Sequence, residues 1–131
     1  MRLGAMFGVG AFAVLALTAA QEPSALAGAS AGMWEVSGAP GAAAPVRQCV
    51  ADVAVLAQFE HRQKACARKV LSNAASSTVI QYQCPAGDFG RSKITVVTPR
   101  SIKIETQGIS DRLPFSYVLQ ARRIGDCPER G

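Results

Sequence analysis

Hydrophobic and polar residues alternate with a period of two along much of the chain, which is the pattern of half-buried β-strands. The alternation is clearest in residues 78–84 and recurs in residues 93–97, 102–105 and 115–121. Turn-forming residues separate these runs, and residues 108–114 are interpreted as a longer connection. Because the strands follow one another with short links, the pattern predicts an antiparallel meander.

Two further extended runs, residues 33–37 and 45–50, flank a turn rich in glycine and proline and predict an N-terminal hairpin. Helical spacing appears between residues 52 and 60, where apolar residues lie at i, i+3 and i+4 behind an acidic first position. Residues 33–127 are therefore predicted to form a single α+β domain. Its architecture is a curved antiparallel meander of about six strands with one short helix.

The N-terminus has the organisation of a secretory signal peptide. Arg2 precedes an uncharged, mainly apolar run over residues 3–20, which is shorter than a membrane-spanning helix requires. Residues 1–27 are predicted to be removed by cleavage before Gly28, and a cut before Gln21 is the second possibility. The alternative to cleavage is retention of the segment as an N-terminal anchor.

After removal of such a segment the chain keeps a basic excess and is predicted to be free of membrane spans. The full sequence has 14 Lys and Arg residues against 9 Asp and Glu, which gives a formal net charge of +5. Residues 28–32 are small and are predicted to be a flexible tail, as are residues 128–131 at the other end. The predicted product is one exported domain of about 100 residues.

Four cysteines predict two disulfides, since an even number in a small exported chain indicates a disulfide framework. They are Cys49, Cys66, Cys84 and Cys127. Of the three possible connectivities, pairing of Cys49 with Cys66 and of Cys84 with Cys127 is favoured. No Cys-x-x-Cys spacing is present and only His61 could add a nitrogen ligand, so a zinc site is not predicted. No cofactor is predicted either.

The sequence contains no recognisable catalytic arrangement. His61, the single histidine, follows Glu60 at the end of the predicted helix and is interpreted as a surface or capping residue. No Gly-x-Ser-x-Gly motif is present and the acidic residues are scattered, which argues against hydrolase and glycosidase sites. We therefore expect a protein that is not an enzyme.

Basic residues cluster in two places, at Arg122–Arg123 and in a group formed by Arg62, Lys64, Arg68 and Lys69. One interpretation is a solvated strand face, and the other is attraction to anionic lipid, lipopolysaccharide or acidic glycan. Nucleic acid is not an expected partner of an exported protein.

Aromatic residues suggest where a ligand could lie. Their simplest role is in the core, but a curved sheet can also leave a concave apolar groove for a lipid-like ligand. The residues proposed to line it are Trp34, Tyr82, Phe115 and Tyr117. We therefore expect a non-enzymatic domain that binds an apolar ligand or another envelope protein. The alternative is an inhibitor of a cell-envelope hydrolase, acting through residues 85–91 or 108–114, or a small envelope enzyme.

Several short motifs, taken in order, resemble the proteobacterial family known as domain of unknown function 3617. They are Gly32-Met33-Trp34-Glu35-Val36, Cys49-Val50 before the helix, Cys66, Tyr82-Gln83-Cys84 with Gly87 and Gly90 after it, and Gly125-Asp126-Cys127. Ala51-Asp52 stands where that family often has a Pro-Glu pair. The resemblance implies a periplasmic location in a Gram-negative bacterium and carries no established activity, so it assigns no catalytic residue.

Overall fold

A computed structural model describes residues 24–129 and the isolated positions 10 and 13. Within these residues, seven strands form one antiparallel sheet in the order β2-β1-β7-β6-β5-β4-β3. The strands are β1 (Gly32–Ser37), β2 (Val46–Val50), β3 (Ala67–Asn73), β4 (Ser77–Gln83), β5 (Phe89–Thr98), β6 (Ser101–Ser110) and β7 (Leu113–Gly125). The remaining elements are 3₁₀ segments at Ala25–Gly28, Val53–His61 and Pro85–Gly87. The predicted meander and N-terminal hairpin are confirmed, since β3 to β7 pair in sequence and β1 pairs with both β2 and β7.

The predicted fold class and strand number are wrong. The described residues form an essentially all-β fold with seven strands rather than an α+β fold with about six. The predicted helix exists as a 3₁₀ helix, Val53–His61, which is interrupted at Gln58 by φ −103° and ψ 35°. All seven residues of β3 are exposed, and its sequence carries no alternation of apolar and polar positions.

The longer connection predicted over residues 108–114 is also absent from the fold. β6 continues to Ser110 and β7 begins at Leu113, so only Asp111 and Arg112 form the turn. Both have positive φ, 49° and 67°, as a two-residue hairpin turn requires. Asp111 suits the first of these positions, but Arg112 stands at the second, where glycine is usual, so the sequence lacks the usual Asp-Gly signal for a tight turn.

The core lies between the sheet and the 3₁₀ helix. Leu56 and Phe59 of the helix are buried against inward-facing residues of the strands. The Ser92 hydroxyl of β5 lies 2.5 Å from the Ala57 carbonyl and 2.8 Å from the Thr106 hydroxyl, which joins the helix to β5 and β6. The strand residues in this core include Trp34, Val36, Ile80, Ile94, Ile102, Ile104, Leu119 and Ala121. The helix therefore fills the side of the sheet on which a ligand groove was predicted.

Two disulfides are present, as expected, but the favoured connectivity is wrong. Cys49 pairs with Cys127 and Cys66 pairs with Cys84. Met33 of β1 lies opposite Cys49 on one side and opposite Gly125 on the other, which brings both ends of the first bridge to β1. The second bridge closes the β3–β4 hairpin, in which Ala67 lies opposite Gln83.

Most of the predicted signal peptide lies outside the described residues, but its last part is described. Ala25–Gly28 forms a 3₁₀ turn in which Ala25 is buried and Leu26 packs against the core. None of the helices among the described residues combines the length and apolarity needed to cross a bilayer.

Residues 28–32, predicted as a flexible tail, contact the sheet. The Ser30 backbone N–H donates to the Pro99 carbonyl, and the Trp34 indole N–H donates to the Ser30 carbonyl over 2.9 Å. Backbone hydrogen bonds hold this segment although its side chains are small.

Candidate functional site

His61 lies in the interior rather than at the surface, which corrects the sequence interpretation. It ends the 3₁₀ helix and is 3 % exposed. Its Nδ1 lies 2.9 Å from the Tyr82 hydroxyl of β4, and its Nε2 lies 3.4 Å from Oδ2 of Asp88. The imidazole therefore stands between a hydroxyl and a carboxylate.

Asp88 connects three parts of the chain. It follows the Pro85–Gly87 turn, and its Oδ2 accepts from the Lys64 ammonium over 2.5 Å. Its Oδ1 accepts from the Asp111 backbone N–H in the β6–β7 turn over 3.1 Å. The hydrogen bond from Lys64 outweighs burial and lowers the pKa of Asp88, and the same bond raises the pKa of Lys64.

Two glycines make room for the aromatic rings beside His61. Tyr82, Gly90, Gly108 and Phe115 lie opposite one another on adjacent strands. A Cβ at Gly90 would collide with the Tyr82 ring, so the close approach requires glycine. The rings of Tyr82 and Phe115 meet the imidazole edge-on, with centroids 5.5 and 5.8 Å away.

The order hydroxyl, imidazole, carboxylate is that of a nucleophile, a base and an orienting group. Here Tyr82 is 1 % exposed, so a substrate could not reach its hydroxyl without displacing the core. Burial is also the main cause that raises the pKa of Tyr82 far above its ordinary value, which keeps the hydroxyl protonated. The chain of contacts is therefore suited to holding the 3₁₀ helix, β4 and the β4–β5 turn together. Nowhere between residues 24 and 129 do three His, Cys, Asp or Glu side chains come together to hold a metal ion.

The four predicted groove residues are divided between the interior and an open cleft. Trp34 and Tyr82 are fully buried, whereas Phe115 and Tyr117 line a cleft of about 570 Å³ beside the β1–β2 loop. The Tyr117 hydroxyl donates to Glu60 over 2.5 Å, and burial raises the pKa of Tyr117. The four residues therefore do not form one concave groove.

The structure brings three residues of the predicted basic group together and places the fourth, Lys69, on the other face of β3. Arg62, Lys64 and Arg68 line a gap of about 320 Å³ between β2 and β3, hereafter the basic cavity. Arg68 lies opposite the inward-facing Tyr82, whereas Lys69 lies opposite Gln81 on the outer face. Cross-strand partners share a face, so Lys69 is directed away from the cavity.

One end of the sheet combines exposed apolar and basic residues. Phe89 begins β5 and is 45 % exposed, and Leu113 begins β7 and is 69 % exposed. Arg91 follows Phe89 by two residues in β5. Arg112 directly precedes Leu113, in the β6–β7 turn. A shallow cavity of about 480 Å³ opens there on the outer face and is lined by Phe89, Arg91, Ile109 and Pro114, among others. We call Phe89, Arg91, Arg112 and Leu113 the hairpin end.

Sequence reasoning missed Asp88 and the hairpin end. Extending the period-two pattern of β5 back to residue 89 would have placed Phe89 on the outer face with Arg91 and Lys93. Asp88 gave no such signal, because its role depends on contacts with Lys64 and with the β6–β7 turn. Of the segments proposed as inhibitory loops, residues 108–114 lie largely in β6 and β7 and leave only a two-residue turn. Residues 85–91 form the Pro85–Gly87 turn and Asp88 before β5 begins at Phe89.

Comparisons with protein-family models, with curated protein sequences and with solved structures each return no match. The resemblance to the domain of unknown function 3617 family stays a prediction.

Proposed function

We propose that the chain is an exported, non-enzymatic domain of the periplasm that attaches to the surface of an anionic membrane through its hairpin end. Two disulfides support the extracytoplasmic location, since such bonds persist in oxidising compartments. The apolar N-terminal run supports export by a signal peptide.

The observation that carries the proposal is the composition of the hairpin end. Two large apolar side chains are exposed at this end, Phe89 on the outer face and Leu113 on the inner face, and Arg91 and Arg112 lie within two residues of them in the sequence. Asp111 is the exposed carboxylate nearest to them in sequence, because Asp88 is buried and paired with Lys64. Apolar anchors flanked by cations match the boundary between acyl chains and anionic headgroups.

The expected attachment is weak and reversible. Each arginine near an anionic surface contributes about 1 kcal/mol. Burial of a side chain such as Leu113 contributes about 1.5 to 3 kcal/mol when complete, and less here because each anchor is partly covered in the free protein. A sum of a few kcal/mol corresponds to millimolar binding.

Sedimentation with phosphatidylglycerol-containing vesicles tests the attachment. Leu113→Ser and Arg112→Gln are expected to reduce the bound fraction severalfold. Val97→Ser and Arg100→Gln are matched controls, because Val97 is 65 % exposed and Arg100 lies in the β5–β6 turn, at the opposite end of the sheet. Equal losses for both pairs, or equal binding to neutral phosphatidylcholine vesicles, would contradict attachment through the hairpin end.

The described part of the N-terminal segment favours cleavage before Gln21 over cleavage before Gly28. A cut before Gly28 would remove Ala25 and Leu26, which pack against the core. N-terminal sequencing of protein recovered from the periplasm is expected to begin at Gln21. An unprocessed, reduced chain in the cytosol would refute export altogether.

A further inference from the structure

The basic cavity carries positive charge without a matching carboxylate. Arg62, Lys64 and Arg68 are among its lining residues, and no Asp or Glu is. Within residues 24–129, neither arginine has a carboxylate within 4.0 Å, whereas Lys64 pairs with Asp88. Two guanidinium groups therefore face the gap between β2 and β3 without a counter-ion from the described chain.

The two arginines are held in place by the fold. Gln58 is 4 % exposed, and its Oε1 accepts from Arg68 over 2.7 Å. Its Nε2 donates to the carbonyls of His61 and Lys64, so the amide fixes the chain that follows the 3₁₀ helix. The kink of the 3₁₀ helix occurs at this residue.

Arg62 is fixed by the same helix. Its guanidinium lies 4.4 Å from the centre of the Phe59 ring and donates to the Phe59 carbonyl over 3.0 Å. A guanidinium has five N–H donors, so most of the donors of Arg62 and Arg68 are left for a ligand. Because these groups are positioned before a ligand arrives, little side-chain entropy is lost on binding.

Gln48 supplies an independent sign that the cavity is built to receive a partner. It lines the cavity from β2, and its Oε1 is buried without a hydrogen-bond partner among the described residues. Buried polar atoms are normally paired. A half-turn of the amide presents its NH₂ group to the same position, which would add a neutral donor to the cationic ones.

We propose that the basic cavity binds a tetrahedral oxyanion, namely a phosphate group that is free or carried as a monoester. Planar guanidinium groups match paired phosphate oxygens. A volume of about 320 Å³ accommodates such a group with several waters, each of which occupies about 30 Å³. The site is separate from the hairpin end and does not rest on the proposed membrane attachment.

The experiment is an NMR titration of the intact disulfide-bonded protein with inorganic phosphate, at ionic strength held constant with sodium chloride. Saturable shifts are expected in the side-chain amide signals of Gln48 and Gln58. The amides of Gln81 and Gln107, on the outer face, are expected to stay unchanged. Absence of a saturable shift, or equal shifts on both faces, would overturn the site.

A matched pair of variants separates a built site from general attraction. Arg68→Gln and Lys69→Gln remove the same charge from neighbouring residues on opposite faces of β3. Arg68→Gln is expected to weaken phosphate binding at least about tenfold, and Lys69→Gln less than about twofold. Equal losses would overturn the proposal. If Arg68→Gln fails to fold, Arg62→Gln replaces it, because Arg62 is exposed at the end of the 3₁₀ helix.

A parallel titration with glycerol 3-phosphate distinguishes the sources of the group. Tighter binding of the ester than of inorganic phosphate would support the site and identify a lipid or glycan headgroup as the class of ligand. Tighter binding of inorganic phosphate would support the site and identify the free ion. Failure of both to bind would overturn it.

Discussion

The corrected disulfide connectivity makes a quantitative prediction, because the two bridges close loops of very different length. Cys49–Cys127 spans 78 positions and Cys66–Cys84 spans 18. In the chain-entropy model, the bridges restrict the unfolded chain by about 4.5 and 3.2 kcal/mol at 25 °C. Replacing Cys49 and Cys127 with alanine is therefore expected to cost about 1.3 kcal/mol more than replacing Cys66 and Cys84.

Denaturant unfolding followed by tryptophan fluorescence measures the difference. Trp34 is the only tryptophan and is fully buried, so its emission reports loss of the core. The expected order of stability is native protein, then the Cys66→Ala/Cys84→Ala variant, then the Cys49→Ala/Cys127→Ala variant. The reverse order would refute the loop-length reasoning, and it would indicate that the buried position of Cys84 dominates.

Mass mapping of a non-reduced tryptic digest checks the connectivity itself. The structure predicts that the peptide of residues 48–62 is joined to residues 124–130, and that residues 65–68 are joined to residues 70–91. A species joining residues 48–62 to 65–68 would restore the pairing favoured by the sequence and would contradict the fold at β1.

Two further predictions concern the cluster around His61. Gly90→Ala is expected to lower the free energy of unfolding by about 1 to 3 kcal/mol, since the added methyl group would collide with Tyr82. Gly125→Ala is the control, because a methyl group there meets open space. Equal losses of stability in the two variants would contradict the collision as the cause. Because the pKa of Asp88 is lowered, the carboxylate binds a proton less tightly in the folded state than in the unfolded state. The carboxylate therefore stabilises the fold above pH 3.8, and this contribution is lost as the pH falls through the folded-state pKa. Unfolding curves at acidic pH are expected to depend less steeply on pH for Asp88→Asn than for the native protein, and an unchanged dependence would contradict the assignment.

The strand faces could be predicted because period-two patterning depends on local sequence. Thr78, Ile80, Tyr82 and Cys84 were placed on one face from the pattern, and all four are buried. The same reasoning could not place His61. A histidine between glutamate and arginine is expected to be exposed. His61 is buried because its ring contacts the Tyr82 hydroxyl, which lies 21 positions away in the sequence.

The disulfide connectivity was predicted wrongly for a related reason. Pairing of nearest neighbours assumes that chain distance decides which cysteines meet, but here β7 pairs with β1 although five strands, β2 to β6, lie between them in the sequence. That contact joins residues about 90 positions apart, such as Trp34 and Arg123. Closeness in the sequence also fails to predict closeness in space for the basic group, because Arg68 and Lys69 are adjacent in sequence yet lie on opposite faces of β3.

Lys64 links the two surfaces for which functions are proposed. It lines the basic cavity and also a smaller cavity of about 280 Å³ that includes Asp88 and Arg112. Its ammonium bonds to Asp88, which in turn accepts from the Asp111 backbone in the turn of the hairpin end. If the Lys64 ammonium turned from Asp88 toward an oxyanion in the basic cavity, the Lys64–Asp88 bond would be lost and the charge beside Arg112 would change. Because any such coupling is reciprocal, membrane attachment would alter phosphate affinity by the same factor as phosphate alters attachment.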